Sequence, residues 1–510
     1  MGEVNFPNGW AMATLGELAD ETVDRSGPAS NEFIYVDISS VDREKKCISD
    51  AKIIESTAAP NRAKQVLQNG DIVISMTRPN LNAVAMVSPE FHGAIGSTGF
   101  HILRSKWVKP KFLFYLVQTR EFIDEMCLCV QGALYPAVRP KDISSFAFFL
   151  PSSSSQHRIV AKIEELFSEL DKGIENLKTA RAQIKVYRQA LLKHAFEGKL
   201  TAQWRAENKD KLETAAALLK RIQLERAQHY QHQLADWEAS GKQGSKLKIP
   251  KSLLPLTAEE LAELPKLPKL PEGWGWVLID SLLSLEKKPM ATGPFGTLLS
   301  KNEHKLSGIP VLGIENIGSG VFVGGNKIFV SELKAKELES FRVEVGDIII
   351  SRSGTVGEIC KIPEGLGKAF ISTNLIRVSL NKNVINQDYF VYLFQGGGSV
   401  KQQVKSLCKG SSRVFLNQRI LTEIAFPLPS IEEQKQIAAV IDAKFSIVEK
   451  LESTIGENLR QTEALRQSIL KKAFSGQLVP QDPHDEPASA LLTRIKAKKF
   501  TQSHSRKIRS

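Results

Sequence analysis

Ile163, Leu170, Leu177, Ile184 and Leu191 recur at every seventh position, as do Ile441, Val448, Ile455, Thr462 and Ile469. A heptad sustained over that length predicts a coiled-coil helix in each stretch. Leu166, Phe167, Ile174 and Tyr187 fill a second seam line in the first stretch, and Phe445, Leu451, Leu459 and Leu465 do so in the second. Ser153-x-x-Gln156 and Ser430-x-x-Glu433 have capping-box spacing at the two starts. Gly198 and Gly476 suit the two helix ends. Each helix would run about 60 Å at 1.5 Å per residue.

Away from these stretches the pattern changes. Asp71 to Ser75 and Asp347 to Ser351 follow a Gly-Asp turn and have the β-branched content of buried strands. Phe112 to Val117 and Tyr389 to Phe394 read as short aromatic helices, and Ala202 to Ser240 as a polar, charge-laced one. Leu264 to Trp274 is a proline-spaced connector.

These patterns are two copies of one. HAFEGKL from His194 returns as KAFSGQL from Lys472, and the blocks upstream, from Tyr187 and from Leu150, return at the same offset of 278 residues. The match continues with small changes of offset: PNGWAMATLGEL from Pro7 with PEGWGWVLIDSL from Pro271, NGDIVIS from Asn69 with VGDIIIS from Val345, and FLFYLVQ from Phe112 with YFVYLFQ from Tyr389. The expected organisation is a mixed domain over residues 1–151, a long helix over 152–200, a polar helix and connector over 201–270, a second domain over 271–429, a second long helix over 430–478, and a helical tail with a basic end over 479–510. The fold class is α+β, with two pseudo-repeated mixed α/β domains joined by two long helices. The helices are each other's simplest partners. Antiparallel packing would relate the halves by an approximate twofold axis; parallel packing would crowd both domains at one end.

Composition bounds the function. The 510 residues are 42% hydrophobic and 24% charged, which excludes disorder over the bulk of the chain. A net charge of +12 suits an anionic partner. No apolar run reaches the roughly 18 residues of a membrane helix, and the start lacks a signal region, so a cytoplasmic protein is expected. The five cysteines, Cys127-x-Cys129 being the only close pair, do not form a metal pattern.

Catalytic motifs are missing. There is no phosphate loop. The glycine-rich run Gly313 to Gly325 lacks dinucleotide spacing and reads as a hairpin. His229-x-x-His232 has no acidic partner at metalloprotease spacing, and no Asn-Pro-Pro-aromatic tetrad of an amino-methyltransferase is present. Recognition remains. Thr77, Arg78, Asn80 and Asn82 follow the first buried strand; Ser351, Arg352, Ser353 and Thr355 lie at and beyond the end of the second. Arginine reads guanine and asparagine adenine through paired hydrogen bonds, and hydroxyls hold phosphates. A second loop precedes each long helix and offers Tyr135 and Arg139 in one half and Arg413 in the other; Asn374 completes the candidate DNA-binding set. The first loop of each half could equally be a solvated hairpin tip, and the second reads rather as a structural turn into the helix. The basic run from Arg494 to Arg509 reads as a solvated tail.

The duplicated unit, Leu-Pro-x-x-x-x-Gln, heptad helix, then Ala-Phe-x-Gly-x-Leu, behind domains bearing Gly-Trp and Gly-Asp-Ile-(Ile/Val)-Ile-Ser, resembles the DNA-specificity subunit of type I restriction-modification systems. The resemblance implies that each domain is a target recognition domain reading half of a split site. It implies an antiparallel coiled coil as spacer, built on Ile163, Leu170, Leu177, Ile184, Leu191, Ile441, Val448, Ile455 and Ile469. It implies duplex DNA, two methyltransferase subunits and restriction/translocase subunits as partners. S-adenosylmethionine, ATP and Mg would then serve the partners, with no cofactor, metal or catalytic residue in this chain. The alternative is a coiled-coil scaffold whose two domains bind proteins. Ser154 and Ser155 stand where the second half has Glu432 and Glu433, which predicts unequal docking by the two halves.

Overall fold

A computed structural model describes the chain except residues 1–6, 20–22, 132–135, 243–251, 265–266, 286–287, 397, 409–414 and 508–510, and except the side chains of 296, 297, 500 and 502–507. The chain divides into two units, residues 1–179 with 454–510, and residues 180–453. The long helices, Ser153–Phe196 and Ile431–Phe474, have 44 residues each and contribute to both units. At 1.5 Å per residue each is about 66 Å long.

In the first unit the strand Ile72–Ser75 is buried along its whole length and pairs antiparallel with Phe100–Leu103 and Val84–Met86. Its apolar residues can all be β-branched because both faces are covered. Gly70 precedes it at φ +87°, a backbone region that favours glycine. A second sheet places Glu32–Val36 parallel to Ile95–Ser97, with Lys52–Glu55 and Ala63–Val66 at its edges. Ala11–Thr14 pairs with Ala147–Leu150 immediately before the first long helix.

The second unit repeats this plan. Ile348–Ser351 pairs with Leu375–Val378 and Ile359–Lys361, and Met290–Thr292 adds an edge. Ile309–Leu312 runs parallel to Ala369–Ile371, and Gly275–Leu278 pairs with Ala425–Leu428 before the second long helix. The expected aromatic helices are present as Pro110–Leu116 and Gln387–Gly396. Their rings carry the cores: Phe112 lies 5.1 Å from Phe474, and Tyr389 lies 5.5 Å from Phe196.

Within the first unit, the start of the first helix packs beside the end of the second. Ile159, Ile163 and Phe167 share a core with Ile469, Leu470 and Ala473. Arg466 reaches across to Asp171 and lies 4.7 Å over the Phe167 ring. In the second unit Leu192, Ala195 and Phe196 share a core with Ile437 and Ile441, and Arg188 meets Glu452 at 3.1 Å. Both pairings are antiparallel. The heptad positions form the covered seam: Ile163, Leu191, Ile441, Val448, Ile455 and Ile469 are buried, and Leu170, Leu177 and Ile184 half-buried. The second seam line holds less well. Tyr187, Leu451 and Leu465 are each more than 40% exposed, because two helices can cover only one stripe of each other.

Three further expectations need correction. The first helix is capped by Ser152, not Ser153: Ser155 N donates to Ser152 Oγ at 3.0 Å. Ser430 caps the second as expected, receiving Glu433 N at 3.2 Å, but the Glu433 carboxylate turns to other partners. The polar helix is broken into Ala202–Glu207 and Ala215–Ala239, and the latter buries Leu218, Leu219 and Ile222. Both long helices end as expected, with Gly198 and Gly476 at φ +69° and +76°, where a side chain would collide with Pro271 or Pro7.

Candidate nucleic-acid interface

The two candidate loops of each half come together. In the first, Thr77 bridges Ala137, Val138 N donates to Met76 O at 2.8 Å, and Arg78 N donates to Pro136 O at 2.8 Å. In the second, Leu416 N donates to Arg352 O at 2.9 Å. The loop after the buried strand and the second candidate loop are thus bonded together in each unit.

The same hydroxyl turn begins both. Ser75 Oγ and Ser351 Oγ each donate at 3.0 Å to the carbonyl two residues ahead, of Thr77 and Ser353. Both serines are buried, so Ser351 builds the turn and presents nothing outward. Asn82 is also buried. Its amide nitrogen donates to Val117 O at 2.8 Å and its oxygen accepts from Lys46 Nζ at 3.0 Å. Arg78 and Asn82 are both left-handed, at φ +49° and +42°, and the short helix Pro79–Leu81 between them is held by that strain and those bonds. Arg78 and Asn80 are exposed and Thr77 is half-buried.

Lys46 is the anchor of that loop. It comes from a tight turn between Val41–Asp42 and Cys47–Ile48 and donates to Asn82 O at 2.6 Å. Burial pushes its ammonium down to about 8, against the Glu463 carboxylate, which favours the charge, and with Arg43, which opposes it. The turn, the loop and the coil line one cavity of about 1370 Å³.

In the second unit Arg352 N donates to Asn374 O at 2.9 Å, and Ser353 Oγ donates to Asn374 Oδ1 at 2.8 Å. Asn374 and Thr355 are exposed; Arg352 and Ser353 are half-exposed. The Arg352 guanidinium lies over the rings of Phe295 and Phe415, at 5.1 and 5.9 Å. Arg139 is exposed and spends its guanidinium on Asp142 at 3.1 Å, bracing the turn into the helix. Tyr135 and Arg413 lie outside the described residues.

Sequence reasoning missed Phe295, Phe415 and Lys46. Phe415 stands inside the second candidate loop, two residues after Arg413, and an exposed aromatic beside an arginine was the available signal. Lys46 closes a charged stretch that starts at Asp42, and no local pattern announces its partner 36 residues away.

His229 and His232 are exposed, and among the described residues no three metal-ligating side chains are grouped. No helix among the described residues is long and apolar enough to cross a membrane.

Residues 293–461 match the model of the type I restriction modification DNA specificity domain. The chain is 30% identical over 227 residues to the EcoDI specificity subunit of Escherichia coli, an alignment covering 44% of this chain and 50% of that relative. It is 21% identical over 453 residues to the StySPI specificity subunit of Salmonella potsdam, covering 86% and 83%. A solved chain from a study of complex assembly and conformational transition of a type I restriction-modification system superposes with a TM-score of 0.68 at 23% identity, covering 93% of this chain and all of that one.

Proposed function

The chain belongs to the DNA-specificity subunits of type I restriction-modification systems, and from that premise we propose that it reads an asymmetric, bipartite duplex sequence through its two domains. The observation that carries this reading is the convergence, in both units, of the two candidate loops onto one polar surface, joined by equivalent backbone bonds to Met76 and Arg352. Two similar but non-identical readers call for two unlike half-sites, as symmetric dimers call for palindromes. Arg78 and Asn80 read the first half-site; Arg352 and Asn374 read the second, with Thr77, Ser353 and Thr355 on phosphates. Arg139 braces the turn beside the first surface; Tyr135 and Arg413 enter this reading as candidate DNA contacts by their place in the sequence alone.

The chain is non-catalytic in this reading. Two methyltransferase subunits carry S-adenosylmethionine and the base-flipping pocket. Restriction/translocase subunits carry the chemistry that needs ATP and Mg. The long helices set the unspecified gap between half-sites.

Modification-sensitive sequencing of the source genome, with and without the gene, tests the proposal. Loss of methyladenine at one split motif is the expected result. An unchanged pattern, together with salt-independent DNA affinity of the purified complex, would instead favour a protein-binding scaffold.

A further inference from the structure

We propose that Phe295 and Phe415 are positioning residues that fix the plane of the Arg352 guanidinium for a paired contact to guanine in the second half-site. The inference rests on the DNA-reading function above and assigns it two residues and a base.

The backbone of Arg352 is pinned on both sides, by Asn374 O at its N–H and by Leu416 N–H at its carbonyl, each at 2.9 Å. Its side chain therefore leaves the domain at a defined point. Among the described residues, that guanidinium meets the two rings, at 5.1 and 5.9 Å. Rings contact the face of a guanidinium and leave the N–H donors on its edge free. Arg377 of the same unit is already committed, since both its terminal nitrogens donate to carbonyls.

The rings themselves are exposed, Phe295 by 61% and Phe415 by 38%. Neither belongs to a buried core cluster of its unit. A free arginine loses rotamer entropy on binding; one held against two rings has already lost much of it, and its planar fork matches guanine O6 and N7. The arrangement has no copy in the first unit, where Met76 occupies the place of Arg352 and receives the equivalent bond from Val138. The effect is accordingly confined to the second half-site.

The test uses the full chain in complex with its methyltransferase subunits and a randomised duplex library, with the bound fraction sequenced. Arg352→Ala is expected to abolish guanine preference at one position of the second half-site. The double variant Phe295→Leu, Phe415→Leu should lower that preference roughly fivefold, as loss of two exposed cation–π contacts implies, and the double Tyr variant should restore it. First half-site selection should not change in any of them.

If the Leu variant keeps full guanine preference while Arg352→Ala loses it, the aromatic clamp is overturned and DNA reading stands. If the Leu variant weakens binding equally on all sequences, the rings only support the domain, and the clamp is again overturned. A wild-type complex that selects no sequence overturns the DNA-reading function itself. Should the double Leu variant not fold, as judged by its unfolding midpoint, the single Leu variants carry the same comparison, each with about a twofold loss expected.

Discussion

Arg205 donates its Nε hydrogen to Glu433 at 2.9 Å, which ties the segment after the first long helix to the first turn of the second. Thr201 Oγ1 and Trp274 Nε1 donate to the same carboxylate at 2.7 and 2.8 Å. In the first unit the charges are exchanged. The arginine is on the helix, as Arg158, and the acid comes from the tail, as Asp485, at 2.6 Å, with Ser152 and Ser155 donating at 2.8 Å each. Ser155 occupies the place of Glu433 because the negative charge arrives from elsewhere. Ser155, one of the two serines that set the halves apart in sequence, is therefore part of an equivalent joint.

The two joints differ in depth, and their removal should differ accordingly. Glu433 is 1% exposed and Arg205 18%, whereas Arg158 is 36% exposed. Glu433→Gln leaves a buried guanidinium without its counter-charge and should cost about 3 kcal/mol. Asp485→Asn breaks a pair screened by solvent and should cost about 1 kcal/mol or less. Denaturant unfolding of the full chain compares them; equal losses would show that depth does not set the strength of the joint.

Asp71 and Asp347 follow the equivalent turn glycines but have different surroundings. Asp71 accepts two hydrogen bonds from Arg104, each at 2.7 Å, and one from Gln68 N. Asp347 accepts from Glu344 N at 2.9 Å, and burial pushes its carboxyl above the usual range, with Arg377 and the Ser379 hydroxyl pulling the other way. A raised carboxyl means that the folded protein holds its proton to higher pH than the unfolded chain. Stability from this group is complete below the unfolded carboxylate value and falls as pH rises through the folded one. Asp347→Asn should remove that slope and leave stability at neutral pH unchanged or higher. Asp71→Asn should cost about 3 kcal/mol, because it removes the carboxylate charge from a buried pair that Arg104 holds with two hydrogen bonds. Unfolding free energies measured from mildly acidic to neutral pH separate the two.

The long helices, buried strands and aromatic helices were legible because each is a local period with its own stop signal. Gly198 and Gly476 mark the ends, and the Gly-Asp turns mark the strand starts. Residues whose role depends on distant partners were not legible. Asn82 reads as a polar loop residue, yet Lys46 and Val117, 36 and 35 positions away, turn it inward. Tyr187 reads as seam, but a two-helix pairing has no second partner to cover it. The break between Ala202–Glu207 and Ala215–Ala239 likewise follows from tertiary contact. Ala215 N donates to Gly273 O at 2.8 Å, as Ala488 N does to Gly9 O in the other unit.

Arg78 combines a strained backbone with an exposed side chain, so stability and recognition should move in opposite directions when it is replaced. At φ +49° a side chain costs about 1 kcal/mol that glycine does not. Arg78→Gly should raise stability by about that amount and relax the first half-site alone. Arg78→Ala should relax the same half-site with no gain in stability. Library selection and thermal unfolding of both variants check this, and a uniform loss across sequences would reassign Arg78 to a phosphate.

The coil should act as a ruler through its seam and not through its exposed faces. Ile455 is buried and Leu177 half-buried on that seam, whereas Leu465 and Tyr187 face solvent. A carboxylate at a seam position must be hydrated, which forces the helices apart locally. Leu177→Asp with Ile455→Asp should therefore broaden the range of spacer lengths recovered from a library in which both half-sites are fixed and the gap is varied. Leu465→Asp should leave the spacer sharp. If the seam variant keeps one spacer length while still binding both half-sites, the separation is set by the docked partner subunits, and the coil only links the readers.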